Sequence, residues 1–169
     1  MKTLNDTLKE LDACQDGYDF AKDLTIEQFL ETCPRGDWIL WLFVRLNPTK
    51  VREVTLAAGH CANTVRYLMK DEHSTKAIDE AIAYGNGEIT EKNITTTAAA
   101  AAYASGANAY AAAAYAAYAS AAASAAASAA AYASGAYVDD DAADAKKQNQ
   151  LQTADICRKY LPIELWGVL

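Results

Sequence analysis

The sequence has no basic excess, no paired cysteines, no phosphate-binding loop and no alternating apolar run. Each absence narrows what the chain can do. Lysine and arginine number 15 against 22 aspartates and glutamates, giving a formal net charge of −7 and a pI near 4.8. A nucleic-acid backbone is gripped by a basic surface, so neither DNA nor RNA is expected as a partner. Cys14, Cys33, Cys61 and Cys157 form no CxxC pair, and residues 1–6 carry no apolar signal core. Secretion is therefore not expected, and the cysteines read as reduced thiols in a cytoplasm. There is no glycine-rich phosphate loop, no GxSxG and no HExxH, so no enzyme is expected. His60, Cys61 and His73 lack a ligand spacing, because adjacent residues on a helix do not face one ion. Neither a metal nor another cofactor is expected. Disorder is excluded as well: the net charge is modest and both ends of the chain carry large apolar residues.

What the sequence has in abundance is alanine, 38 residues of it. Of the 39 residues at 98–136, 26 are alanine, and no charge falls between Lys92 and Asp139. The chain thus divides into charged amphipathic segments at 1–92, an uncharged Ala/Tyr-rich block at 93–138, and a C-terminal helix and tail at 139–169. These are read as parts of one domain. Alanine drives membrane insertion weakly, and Ser and Tyr interrupt each apolar window, so no membrane span is expected. A straight helix of that length would reach about 58 Å, longer than a compact domain of this size, about 40 Å across. The block is expected to bend, to fold into a hairpin near Ser105-Gly106-Ala107-Asn108, or to reach a partner. A helix with no charged face is buried all round. Tyr103, Tyr110, Tyr118 and Tyr132 would supply a seam through it, and close packing of small residues also allows self-association into a homo-oligomer.

The rest of the chain reads as helix. Leu4, Leu8 and Leu11 share one face. Thr25 with Gln28 forms a capping box ahead of Ile26, Phe29, Leu30 and Cys33, which Pro34 stops. Asp37 is placed to cap a central helix over 38–46, with Arg35 as its ion partner. Pro48 suits the start of the next helix, whose stripe of Val51, Val54, Ala58, Cys61, Ala62, Val65, Leu68 and Met69 runs for about six turns at helical spacing. Ser74 opens a shorter helix that Gly85-Asn86-Gly87 ends. The last helix covers roughly 140–160 and buries Leu151, Ala154, Cys157 and Leu161. The predicted fold class is all-α, a compact multi-helix domain around a central alanine-rich helix or helical hairpin.

Two groups of residues are candidates for binding. Asp12, Asp16, Asp19 and Asp23 are spaced four, three and four, which stacks them on one stripe if a single helix carries them. With Asp139, Asp140 and Asp141 they would form acidic surfaces suited to a basic protein partner. Arg35, Trp38, Trp41, Arg66 and Tyr67 are the groups that would line a pocket for an anionic small molecule.

The residues Arg35-Gly36-Asp37-Trp38-Ile39-Leu40-Trp41-Leu42 come first. Leu56-Ala57-Ala58-Gly59-His60-Cys61-Ala62 follows with Thr64 and Arg66, then the Ala/Tyr block, then Ala154-Asp155-Ile156-Cys157-Arg158-Lys159-Tyr160-Leu161-Pro162. Their order resembles the alanine- and tyrosine-rich immunity protein family of bacterial polymorphic toxin systems, which also occurs in phage and prophage genomes. The resemblance spans roughly residues 14–162, and Gly-Asp-Trp-x-x-Trp is its most specific element. It implies a non-enzymatic cytoplasmic protein of a bacterial host that binds and neutralises a protein partner such as a basic toxin. The alternative is a phage counter-defence protein that sequesters a small nucleotide-like signal in a helical pocket.

Overall fold

Threonine hydroxyls start two of the first three helices. The computed structural model describes residues 3–68, 72–90 and 139–167. The alanine-rich block, its break, its tyrosine seam and any self-association through it lie outside the described residues. Helix α1 (Leu4–Glu10) is capped by Thr3, whose hydroxyl accepts from the Asp6 N–H while the Asp6 carboxylate accepts from the Thr3 N–H. The same reciprocal box, Thr25 with Gln28, starts α3 (Ile26–Thr32) as its spacing predicts. Between them lies α2 (Gln15–Ala21). Then follow α4 (Gly36–Leu46), α5 (Val51–Asn63), α6 (Glu72–Gly85) and α7 (Asp139–Tyr160). Short 3-10 turns stand at Arg66–Leu68 and Ile163–Leu165. The fold is all-α, with no strand among the described residues.

The core centres on α4, whose Ile39, Leu40 and Phe43 are fully buried. Burying a side chain of the size of Phe43 contributes about 2 to 3 kcal/mol. Helix α7 lies against both α4 and α5 and adds Ala154 and Cys157, with Leu161 just after its end, while α6 packs along α5. The chain then turns so that Trp166 enters the same core. Its Nε1–H donates to the Leu161 carbonyl at 2.9 Å, and its ring meets Phe43 and Phe29 edge-on at 5.1 and 6.4 Å between centroids.

Two glycines permit the closest helix contacts. A Cβ on Gly36 would stand 2.6 Å from the Thr153 carbonyl carbon, and one on Gly85 would stand 2.4 Å from the Leu56 Cβ. Only hydrogen fits at either place.

Several local boundaries differ from the sequence expectation, each for a visible reason. Helix α4 begins at Gly36 with Arg35 as its N-cap, so Asp37 sits inside the first turn and is not the cap. The Gly36–Thr153 contact holds the backbone there. Pro48 does not start α5: the Lys50 N–H donates to the Asn47 carbonyl at 3.1 Å, making Pro48 the second residue of a turn, a position its fixed φ favours. Helix α5 stops at Asn63, short of six turns. There the Thr64 hydroxyl donates to the Cys61 carbonyl at 2.7 Å and the Val65 N–H to the Ala62 carbonyl at 3.2 Å, tightening the backbone into 3-10 geometry. Helix α6 starts two residues before Ser74, with Glu72 in its first turn, where negative charge meets the helix dipole. Leu151 is 43% exposed. The inward face of α7 is set by Thr153 against Gly36 and by Cys157 against Cys61, and Leu151, two residues before Thr153, points about 200° away.

Candidate functional site

The acidic residues near the amino terminus run from the turn after α1, along α2, to the turn that follows it. Just past the C-cap Leu11 of α1 stands Asp12 at φ 54°, the only non-glycine residue with positive φ among those described. The Asp12 N–H donates to the Lys9 carbonyl at 3.3 Å and the Ala13 N–H to the Leu8 carbonyl at 3.0 Å, which is the Schellman pattern of a helix end. Asp12, Asp16, Asp19 and Asp23 are all exposed. They do not form one helical stripe, because the chain reverses at Asp12 and α2 ends before Asp23. Gly17, inside α2, does not break the helix. The segment therefore presents the four carboxylates from two turns and the helix between them.

Polar and cation–ring contacts hold α2 and tie it to α1. Asp19 accepts from Gln15 Nε2 at 2.7 Å and from Lys22 Nζ at 3.0 Å, and these donors hold its carboxyl below the usual range, so it stays charged. The Tyr18 hydroxyl donates to Asn5 Oδ1 at 3.1 Å and ties α2 to α1, while Lys9 and Lys22 each bring Nζ to 5.9 Å from the Tyr18 ring centre. The second acidic run, Asp139, Asp140 and Asp141, opens α7; its side chains lie outside the described residues.

The five residues considered for an anion pocket stand in two groups. Arg35, Trp38 and Trp41 belong to the first turns of α4. Arg35 Nε donates to Asp37 Oδ1 at 3.0 Å and its guanidinium lies 4.4 Å from the Trp38 ring centre. The Trp38 ring in turn packs on Phe20 at 5.9 Å. Trp41 is covered on one side by Arg45, 5.6 Å from its ring. Arg66 and Tyr67 follow α5. Arg66 makes a bidentate pair with Asp79 of α6, 2.8 Å at its longer contact, and Tyr67 is 80% exposed. Both arginines already hold carboxylates, and no described contact joins the two groups.

No family model matches the sequence, and neither does any curated protein or solved structure.

The motif residues singled out above are largely those that hold the helices together. Gly36 is the α4–α7 crossing point, and Trp38 seats α2 on α4. His60 stacks on Tyr160 at 4.3 Å and 5°; burial, then the Lys159 charge, hold its pKa below the ordinary value. Arg158 reaches from α7 to the end of α3, donating to the Leu30 and Cys33 carbonyls. The seam between α5 and α7 also holds a feature that residue spacing did not signal: Asn149 Nδ2 donates to Thr64 Oγ1 at 2.9 Å, and Cys61 Sγ lies 3.7 Å from Cys157 Sγ. All four cysteines are free thiols, and among the described residues no group of His, Cys, Asp and Glu could hold a metal ion. No described helix is long and apolar enough to cross a membrane.

Proposed function

We propose that this protein is a non-enzymatic immunity or antitoxin-like protein, which neutralises a basic partner protein by covering it with the acidic helix α2 and its flanking turns. The observation that carries the reading is the set of four exposed carboxylates, Asp12 between α1 and α2, Asp16 and Asp19 on α2 and Asp23 just after it, with α2 tied to α1 through Tyr18 and Asn5. Charges presented on a fixed frame raise the rate of encounter with a surface of opposite sign and fix its orientation. The resemblance of the Gly-Asp-Trp-x-x-Trp and Cys-Arg-Lys-Tyr-Leu-Pro segments to toxin-immunity proteins supports the same reading. A host cytoplasm would be the place of action.

The test is co-expression with the product of the neighbouring gene, followed by purification and stopped-flow association over a range of salt. A complex is expected, with an association rate that falls at least about tenfold from low to high salt. Asp12→Asn, Asp16→Asn, Asp19→Asn and Asp23→Asn combined should slow association at low salt and leave helicity unchanged. A salt-independent rate, or a complex indifferent to the fourfold change, defeats the proposal.

A further inference from the structure

We propose that Cys61 and Cys157 are a latent redox cross-link, closed into a disulfide that fastens α5 to α7 when a peroxide oxidises one of them. The two sulfurs lie 3.7 Å apart at 1% and 0% exposure, brought together from positions 96 apart in the chain. Each also faces a backbone carbonyl: Cys61 Sγ is 3.6 Å from the Thr153 oxygen, and Cys157 Sγ is 3.5 Å from the Gly36 oxygen. A disulfide needs the sulfurs at about 2.05 Å, an approach of roughly 1.7 Å. Side-chain rotation supplies part of it and a small shift of α7 the rest.

The surroundings set the order of events. While α7 is docked, the hydrogen bond with Cys61 and burial keep the Cys157 thiol well above its ordinary pKa, and the protonated thiol is a poor nucleophile. Oxidation begins when α7 lifts. A thiolate then attacks one oxygen of hydrogen peroxide and the O–O bond breaks; hydroxide leaves, takes up the thiol's proton as water, and the sulfur becomes a sulfenic acid. As α7 closes again, the second thiol, ionised while still in contact with water, meets that sulfur. Its sulfur attacks, the S–O bond breaks, and hydroxide leaves as a second water carrying the second thiol's proton. Two thiols and one peroxide thus give one disulfide and two waters, the two electrons passing from sulfur to oxygen. The bond closes a loop over residues 61–157, which includes the whole uncharged block. Closing so long a loop restricts the unfolded chain strongly.

The test treats the reduced full-length protein with hydrogen peroxide without denaturant, alkylates the remaining thiols, digests without reduction and identifies linked peptides by mass. A Cys61–Cys157 pair is expected, together with a rise in Tm of about 10 °C that a reductant reverses. Cys157→Ala should abolish both the pair and the rise, whereas Cys14→Ser, at an exposed site, should keep both. A dominant pair through Cys33 or Cys14, conversion of Cys61 or Cys157 to sulfinic acid, or oxidation confined to Cys14 would each overturn the proposal. The wild-type mass spectrum decides even if Cys157→Ala fails to fold.

Discussion

Arg158 Nε donates to the Leu30 carbonyl oxygen across 2.6 Å, so a residue of the last helix satisfies the backbone at the end of the third. Its second arm reaches the Cys33 carbonyl, and a third contact, 2.7 Å, goes to Asp155. One guanidinium thereby serves as the C-terminal cap of α3, where cationic charge also meets the helix dipole favourably. Lysine cannot divide itself among carbonyls in this fork geometry.

Arg158→Lys should therefore cost about 2 kcal/mol and Arg158→Ala about 3 kcal/mol, since each leaves half-buried carbonyls short of a charged donor. Asp155→Asn, at an exposed partner, should cost under about 0.5 kcal/mol. Urea unfolding midpoints at neutral pH check all three. Equal losses for Arg158→Lys and Asp155→Asn would mean that the carbonyl contacts contribute nothing.

Gly36→Ala should destabilise the protein by about 3 kcal/mol, because the new Cβ meets the Thr153 backbone, which cannot rotate away. Gly17→Ala is the control. There the nearest atom is the Cys14 sulfur at 3.3 Å, and the better helix former should leave stability unchanged or raise it by up to about 1 kcal/mol. Thermal unfolding of the two variants side by side separates a crowded crossing from ordinary helix propensity.

Asp12 holds a left-handed backbone conformation at the end of α1, where glycine would sit without steric cost. Asp12→Gly should raise stability by roughly 0.5 to 1 kcal/mol. The same change should slow association with a basic partner. Stability and binding moving in opposite directions would mark Asp12 as a residue kept for its charge.

His60 supplies a pH signature. Stacked on Tyr160 and close to Lys159, its folded pKa lies below the ordinary 6.5, chiefly through burial. The unfolded chain takes up a proton near 6.5, whereas the folded protein does so only at lower pH. Acid therefore favours unfolding across that interval, and stability should decline as pH falls through and below 6.5. Chemical denaturation at several pH values should show the decline in wild type and a shallower one in His60→Phe. An identical slope in the two proteins would remove His60 from the pH response.

Local signals in the sequence carried well into the structure. The Thr25–Gln28 box needs only four residues to specify itself, and the stop at Gly85-Asn86-Gly87 appears with Gly87 at φ 80°. The central placement of α4 and the start of the last helix were equally legible, from a run of large apolar residues and an acidic first turn. What could not be read was any choice made by a distant neighbour. Helical spacing offers α7 more than one apolar face, and the Gly36–Thr153 crossing selects the one that excludes Leu151. For the candidate site, Arg35 with Asp37 was legible because the two are neighbours in sequence. Arg66 with Asp79 was not, because α5 and α6 must dock before that pair exists. The acidic stripe failed as a stripe because spacing of four, three and four presumes one uninterrupted helix, and the Schellman end at Asp12 interrupts it. The Cys61–Cys157 approach has no signature in spacing at all, since tertiary packing alone creates it.

The Trp166 ring and α7 complete a core whose other walls are built much earlier in the chain. On the ribosome, Phe29, Phe43 and Cys61 leave the exit tunnel while their cover is still unmade. The 46 residues at 93–138 must be translated in between, which takes several seconds at roughly 5 to 20 residues per second. More than half of those residues are alanine, so translating the block draws mainly on alanyl-tRNA. Scarcity of a single amino acid would then lengthen the interval in which chaperones must guard the half-made protein.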